Sequence, residues 1–346
     1  MSFNGMMFKK TPSAKFFRTA LAAAGFALLS VVFGAYVRMS DAALGCADGW
    51  DCVGGAHAPM TARDYRASIA PATALPAQKR AWKEVVMRYI AGALGLLLIR
   101  LAVLGWRLKK YKPSQQVLIP ASALVLVFGL TIAGLLTIEW QFKPLILMMQ
   151  LLGGMAVLGL LWWIVLREQR IFRSVARTPL TRRLRPRVLV ALGIVVAQIA
   201  LGGWSMVNYA GLACPDFPTC QNEYWPPADF IDGFTLWRDV GPTYESELLS
   251  LQAATAIHMA HRVGALITVL YVGWLALHLL RVGFQESLCR YGLLLLVVLS
   301  CAAALGITEA VARLPLAAGV AHNAVAALLL MSLVTLYHVV RTPRNV

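Results

Sequence analysis

Two histidines stand inside apolar stretches in the second half of this chain, His261 in "TAIHMAHRVGAL" and His322 in "LPLAAGVAHNA". An ionisable side chain inside such a run is expensive and marks a functional position. Counted from the same side of the membrane, both lie at similar depth. Two imidazoles on facing helices of a bundle can clamp one haem iron from above and below. A hydrogen-bonded pair of interior histidines is the alternative. Arg262 follows the first histidine and can pair with an anionic substituent of a bound group. His258 lies one turn before His261, either supporting it or serving the fold. His57 falls in a loop, and His278 and His338 fall near the ends of apolar runs, where they read as interfacial residues.

An earlier stretch, "WKEVVMRYIAG", reads as a variant of the same text. Met87 aligns with His261, Arg88 with Arg262, and Gln150 with His322. Methionine can be an axial haem ligand, whereas glutamine is a poor one. Ordinary packing for Met87 and a helix–helix hydrogen bond for Gln150 are the alternatives. Glu84 precedes Met87 by three residues and so shares its helical face. A carboxylate there can serve as acid or base beside a substrate, or be a solvated residue at the helix boundary.

The cysteines add a third pattern. "CADGWDC" and "CPDFPTC" both have Cys-x5-Cys spacing, giving Cys46–Cys52 and Cys214–Cys220 as expected disulfides on an oxidising side. A redox-active pair is the functional alternative, and zinc would need thiolates from two separate loops. Cys289 and Cys301 read as packing residues of the seventh apolar run.

These residues need a scaffold, and the composition supplies one. The chain is 59% hydrophobic and 14% charged, with mean hydropathy +0.67. Soluble domains carry about 25% charged residues, so the chain reads as a membrane protein. Apolar runs of spanning length recur near 16–38, 85–106, 116–137, 145–166, 188–207, 255–280, 290–308 and 316–340. The first continues into "FGAYVRMS" and reads as a retained helix, not a cleaved leader. Net charge is +16, concentrated before the first run, in 107–112, in the arginine-rich 167–187 segment and at the C-terminus. With eight spans all four segments fall on one side, which puts both termini in the cytoplasm. No basic patch interleaved with aromatics points to nucleic acid.

Landmarks recur along the chain at nearly one offset. Cys46 and Cys214 are 168 residues apart, Met87 and His261 174, and Gln150 and His322 172. The expected architecture is therefore all-α: eight transmembrane helices as two tandem four-helix bundles, 1–166 and 188–346, joined by 167–187.

The stretches "LGCADGWDC", "WKEVVMRYIAG", "QLLGG", "ALGGWSMVNYAGLACPDFPTC", "TAIHMAHRVGAL" and "LPLAAGVAHNA" together resemble the haem A synthase family, over nearly the whole chain. The resemblance implies a bacterial inner-membrane protein with its cysteine loops on the periplasmic side. It implies haem b between His261 and His322, and haem O as substrate in the N-terminal bundle. The family reaction converts a methyl group of haem O to formyl, giving haem A for cytochrome c oxidase. The glutamate of the family's Glu-x-x-His-Arg motif maps onto Glu84, and its arginine onto Arg88. Arg88 and Arg262 are the expected propionate partners. Met87 and Gln150 depart from the pattern, since both positions carry histidine in the family. A haem-handling assembly factor without turnover is the rival reading, and a transporter built from two parallel repeats is a third. Implied partners are a haem O synthase, the oxidase assembly machinery and membrane lipids; a homo-oligomer is left open.

Overall fold

The computed structural model describes residues 12–42, 77–111, 117–139, 144–168, 179–236, 249–282 and 288–341. Among them the long elements are α1 (Pro12–Ala42), α2 (Ala77–Lys109), α3 (Leu118–Glu139), α4 (Pro144–Glu168), α5 (Pro179–Val207), α6 (Leu251–Val282), α7 (Cys289–Val311) and α8 (Leu316–Arg341). Several begin on a proline or just after one, as at Pro144, Pro179 and Pro315, where the missing N–H costs nothing and φ is preset. No strand occurs among the described residues beyond one isolated bridge, Cys220 with Glu223. Among the described residues seven of the helices are long and apolar enough to cross a membrane, and in α3 the apolar stretch, Leu118–Gly134, is shorter than that. The protein is therefore an all-helical, multi-pass membrane protein.

The helices extend past the apolar runs that announce them. The arginine-rich stretch 167–187 is not all connection, because α5 starts at Pro179 and carries Arg182, Arg183, Arg185 and Arg187 in its first turns. Charged residues continue a helix readily once it leaves hydrocarbon, and the helix runs through Pro186 at the cost of the hydrogen bond its missing N–H would give the Arg182 carbonyl.

Packing follows two rings. In one, α1 touches α2, α2 touches α3, α3 touches α4 and α4 returns to α1. In the other, α5, α6, α7 and α8 close in the same way. The rings meet where α8 packs on α1 and α4, and α4 on α5. Trp162 donates to Thr335 Oγ1 (2.8 Å) and Asn323 to the carbonyl of Val31 (3.2 Å) across this seam. Within the rings the core is aliphatic: Leu98, Leu101, Leu158, Leu161 and Leu184 are fully buried, as are Leu275, Leu279 and Leu333. Outward positions such as Leu96, Val125, Phe128 and Leu270 are exposed, as a lipid-facing surface requires.

Close approach between α6 and α7 is set by Gly292. A methyl group there would lie 2.7 Å from the Ala276 carbonyl oxygen and 3.1 Å from the Leu280 nitrogen, both backbone. Small residues at such crossings allow tight packing in a bilayer. Gly292→Val is expected to lower the melting temperature of the detergent-solubilised protein by several degrees or abolish its accumulation. Gly159→Ala, with nothing within 4 Å, leaves it unchanged.

Candidate functional site

The ring α5–α8 places its two histidines on diagonal helices. His261 stands ten residues into α6 and His322 six residues into α8. The two helices start at the same end of the ring, and the imidazoles lie within electrostatic reach of one another. Each ring sits against a glycine of the preceding helix. A methyl group on Gly202 of α5 would lie 2.9 Å from His261 Cε1, and one on Gly306 of α7 would lie 3.0 Å from His322 Cε1. The imidazoles thus occupy space that any larger residue would claim.

Gln198 of α5 fixes the first ring. Its amide nitrogen lies 3.0 Å from His261 Nδ1 and donates to the His261 carbonyl at 3.2 Å. The bond to the carbonyl, which can only accept, keeps the amide nitrogen on this side, so Gln198 holds the ring in place by donating to Nδ1 as well. His322 Nδ1 is buried without a hydrogen-bond partner. Leaving a buried polar atom unsatisfied costs about 1–3 kcal/mol. Two imidazoles on opposite corners, one held in orientation by Gln198, are a donor set that fits an axially ligated haem iron.

His258 does something else. Its Nδ1–H donates to the Ala210 carbonyl (3.0 Å), tying α6 to the segment that follows α5. That segment is built around the expected Cys214–Cys220 disulfide, which the structure contains, with both sulfurs buried against Met259. Arg262 is turned onto the same loop. It donates to the carbonyls of Thr219 (2.7 Å), Asp216 (2.7 Å) and Cys214 (3.1 Å), with Phe217 under the guanidinium at 5.8 Å. Asp216 closes the loop from within by accepting from the Thr219 hydroxyl and from the amides of Gln221 (2.6 Å) and Asn222 (3.0 Å). Partial burial raises its pKa, but those hydrogen bonds outweigh burial and hold it below the usual carboxylate value. Gln221 Nε2 then joins the Ala213 carbonyl to Thr255 Oγ1 of α6.

The other ring repeats the register with different chemistry. Met87 stands ten residues into α2 and Gln150 six into α4. A methyl group on Gly34 of α1 would lie 3.6 Å from Met87 Cε, and one on Gly134 of α3 would lie 3.4 Å from Gln150 Nε2. Arg38 of α1 reaches Gln150 Oε1 through Nη2 at 3.4 Å. Lys83 donates to Ser40 Oγ (2.6 Å) close by. Arg88 is exposed on α2. Glu84 belongs to α2, with its side chain outside the described residues. Cys46, Cys52 and His57 also lie outside them.

The remaining expected residues are dispersed. His278 meets Arg187 Nη1 at 3.0 Å and stacks on Trp274. His338 is buried with Trp163 edge-on to its ring. Cys289 is half-buried and Cys301 exposed on α7. Among the described residues no three His, Cys, Asp or Glu side chains cluster as a metal site. Sequence reasoning missed Gln198 and Arg38, single polar residues inside apolar runs. It also missed the glycines opposite each ligand position, although Gly34 and Gly202 share the 168-residue offset of the cysteines and Gly134 and Gly306 the 172-residue offset of Gln150 and His322.

Fold and site together define a polytopic all-helical membrane protein that carries His261 and His322 in one helical ring and Met87 and Gln150 at the same helix registers in the other. Residues 18–334 match the COX15-CtaA family, described as cytochrome oxidase assembly protein. A protein of Shewanella oneidensis named heme A synthase is 36% identical over 315 residues, covering 90% of this chain and 92% of its own length. A heme A synthase of Methylobacterium nodulans is 32% identical over 154 residues, 44% of this chain and 40% of that protein. The chain belongs to the COX15-CtaA family.

Because the Asp216 carboxyl is held low, its contribution to stability is complete above the unfolded value near pH 4 and fades as pH falls through the lower folded value. Asp216→Asn is expected to lower the melting temperature at pH 7, by a margin that shrinks as pH is taken below about 4. Arg262→Gln is expected to destabilise, and its cost to overlap strongly with that of Cys214→Ser, because both release one loop. Additive melting shifts in the double variant would contradict that link.

Proposed function

We propose that this protein is a haem A synthase. In this reading it holds haem b between His261 and His322 and takes haem O as substrate in the α1–α4 ring. It oxidises a haem O methyl group to the formyl group of haem A, for use by cytochrome c oxidase. The observation that carries the reading is the pair of imidazoles on diagonal helices, each against a glycine, with His261 steered by Gln198. Family membership gives that pair its context.

Haem b, when bound, supplies one-electron transfer. The chain's own residues do the rest. Gln198 holds the His261 ring in its orientation. The disulfide loop, locked by Arg262 and His258, closes the outer end of the ring over the two histidines. Arg262 is proposed to meet a propionate by exchanging one of its loop contacts. In the substrate ring Met87 and Gln150 stand where the two histidines stand in the other ring. Met87 is a soft ligand or an apolar wall for the macrocycle. Glu84, one turn from Met87, is the proposed acid–base group for a reaction that releases protons with electrons. Arg88 is proposed to meet substrate at the boundary.

The matching registers of Met87 with His261 and of Gln150 with His322 support a duplicated four-helix unit, with 1–166 and 188–346 as its copies and eight spans in all. Basic segments at 107–112 and 167–187 and at both ends support cytoplasmic termini, cysteine loops on the periplasmic side and an inner-membrane location. Cys46–Cys52 is proposed as the counterpart of Cys214–Cys220. The proposed partners are a haem O synthase that supplies the substrate and the oxidase assembly machinery that consumes the product.

A second reading is favoured by Met87 and Gln150 themselves: a haem b protein that handles haem for an oxidase without turnover. Co-expression with a haem O synthase in a host lacking haem A decides between them. Chromatography of extracted haems is expected to show haem A with the wild type and none with His261→Ala. Met87→His with Gln150→His is expected to raise the yield severalfold. Full haem b content with no haem A would contradict turnover and favour the handling role.

A further inference from the structure

Arg38 is half-buried with its Nη1 fully covered, it has no carboxylate partner among the described residues, and its nearest polar contact is weak. Nη2 reaches Gln150 Oε1 at 3.4 Å, while Nη1 is buried with no hydrogen-bond partner. A charge inside a membrane bundle is retained when it pairs with something. Arg38 lies one turn beyond Gly34, whose open face receives Met87, and it touches Gln150, which lies against Gly134. The arginine therefore faces the space between the two positions that take the place of iron ligands in this ring. In the α5–α8 ring the position equivalent to Arg38 by the Gly34–Gly202 offset is Met206, and the polar residue that first helix supplies is Gln198, which steers a histidine.

We propose that Arg38 is the anionic-group anchor of the α1–α4 ring: it binds a carboxylate side chain of the tetrapyrrole substrate and takes over part of the holding power that an iron–imidazole bond would give. This rests on the substrate-ring reading above and adds the group that substrate binding depends on. The planar fork of a guanidinium suits a carboxylate, which can accept from Nη1 and Nη2 together. Gln150 then acts as the second acceptor that keeps the fork aimed inward when no substrate is present, rather than as a ligand to iron. A propionate arriving at Nη1 satisfies a donor that is otherwise buried unpaired, so recognition is coupled to relief of that penalty.

The test uses purified full-length protein carrying its haem b. It is titrated with fluorescent metal-free protoporphyrin dicarboxylate and, separately, with its dimethyl ester. Neither probe has iron, so axial ligation plays no part. The diacid is expected to bind roughly 10- to 100-fold more tightly than the diester, the range for a hydrogen bond to a charged group. Arg38→Gln is expected to remove that preference and Arg38→Lys to keep part of it, with the haem b absorption of both variants unchanged. Equal binding of diacid and diester by the wild type would overturn the anchor while leaving a tetrapyrrole pocket in place, and needs no variant to fold. Retained preference in Arg38→Gln would overturn it too. Absence of saturable binding by either probe would overturn the substrate-ring reading and the anchor with it.

Discussion

Close contact between a side chain at the ring axis and a glycine on the preceding helix is the constraint on which this structure turns. Helices in a bilayer gain little from burying apolar surface against one another, so packing and hydrogen bonds must set their spacing. Gly202 and Gly306 let α5 and α7 come close enough to flank His261 and His322. The same crossings in the other ring bring Gly34 to Met87 and Gly134 to Gln150. The approach of a glycine to these positions thus recurs in both rings, while the side chains that fill them differ.

From that constraint the division of labour follows. One ring offers two ring nitrogens, a steering amide and a loop whose disulfide, Asp216 and Arg262 hold it shut. The other offers a thioether, an amide and a guanidinium. A strongly held metal group suits the first, and a ligand recognised by its periphery suits the second. An exchangeable substrate benefits from weak metal ligation, because product must leave. The seam between α1 and α8, where Asn323 reaches Val31 and Met39 packs on Gly319, keeps the rings side by side.

Much of this was legible in the sequence. Hydropathy located the helices, since a bilayer demands long apolar runs, and the repeated Cys-x5-Cys spacing announced the bond at Cys214–Cys220. The histidine pair stood out because ionisable residues are rare at such depth. What was hidden depended on partners far away in the chain: Gln198 meets His261 across 63 residues and Arg38 meets Gln150 across 112. Arg262 was read as facing a bound group, yet in this structure its donors go to backbone carbonyls, which carry no sequence signature. The start of α5 at Pro179 was obscured by its arginines, which look like a loop because they lie outside hydrocarbon.

Axial ligation in the α5–α8 ring can be measured directly by electron paramagnetic resonance of the oxidised, purified protein, with the haem extracted and typed from the same sample. The account predicts a low-spin, six-coordinate haem b signal that is lost or converted to high spin in His261→Ala and in His322→Ala alike. A protein that contains no haem, or a low-spin signal that survives both substitutions, would contradict it.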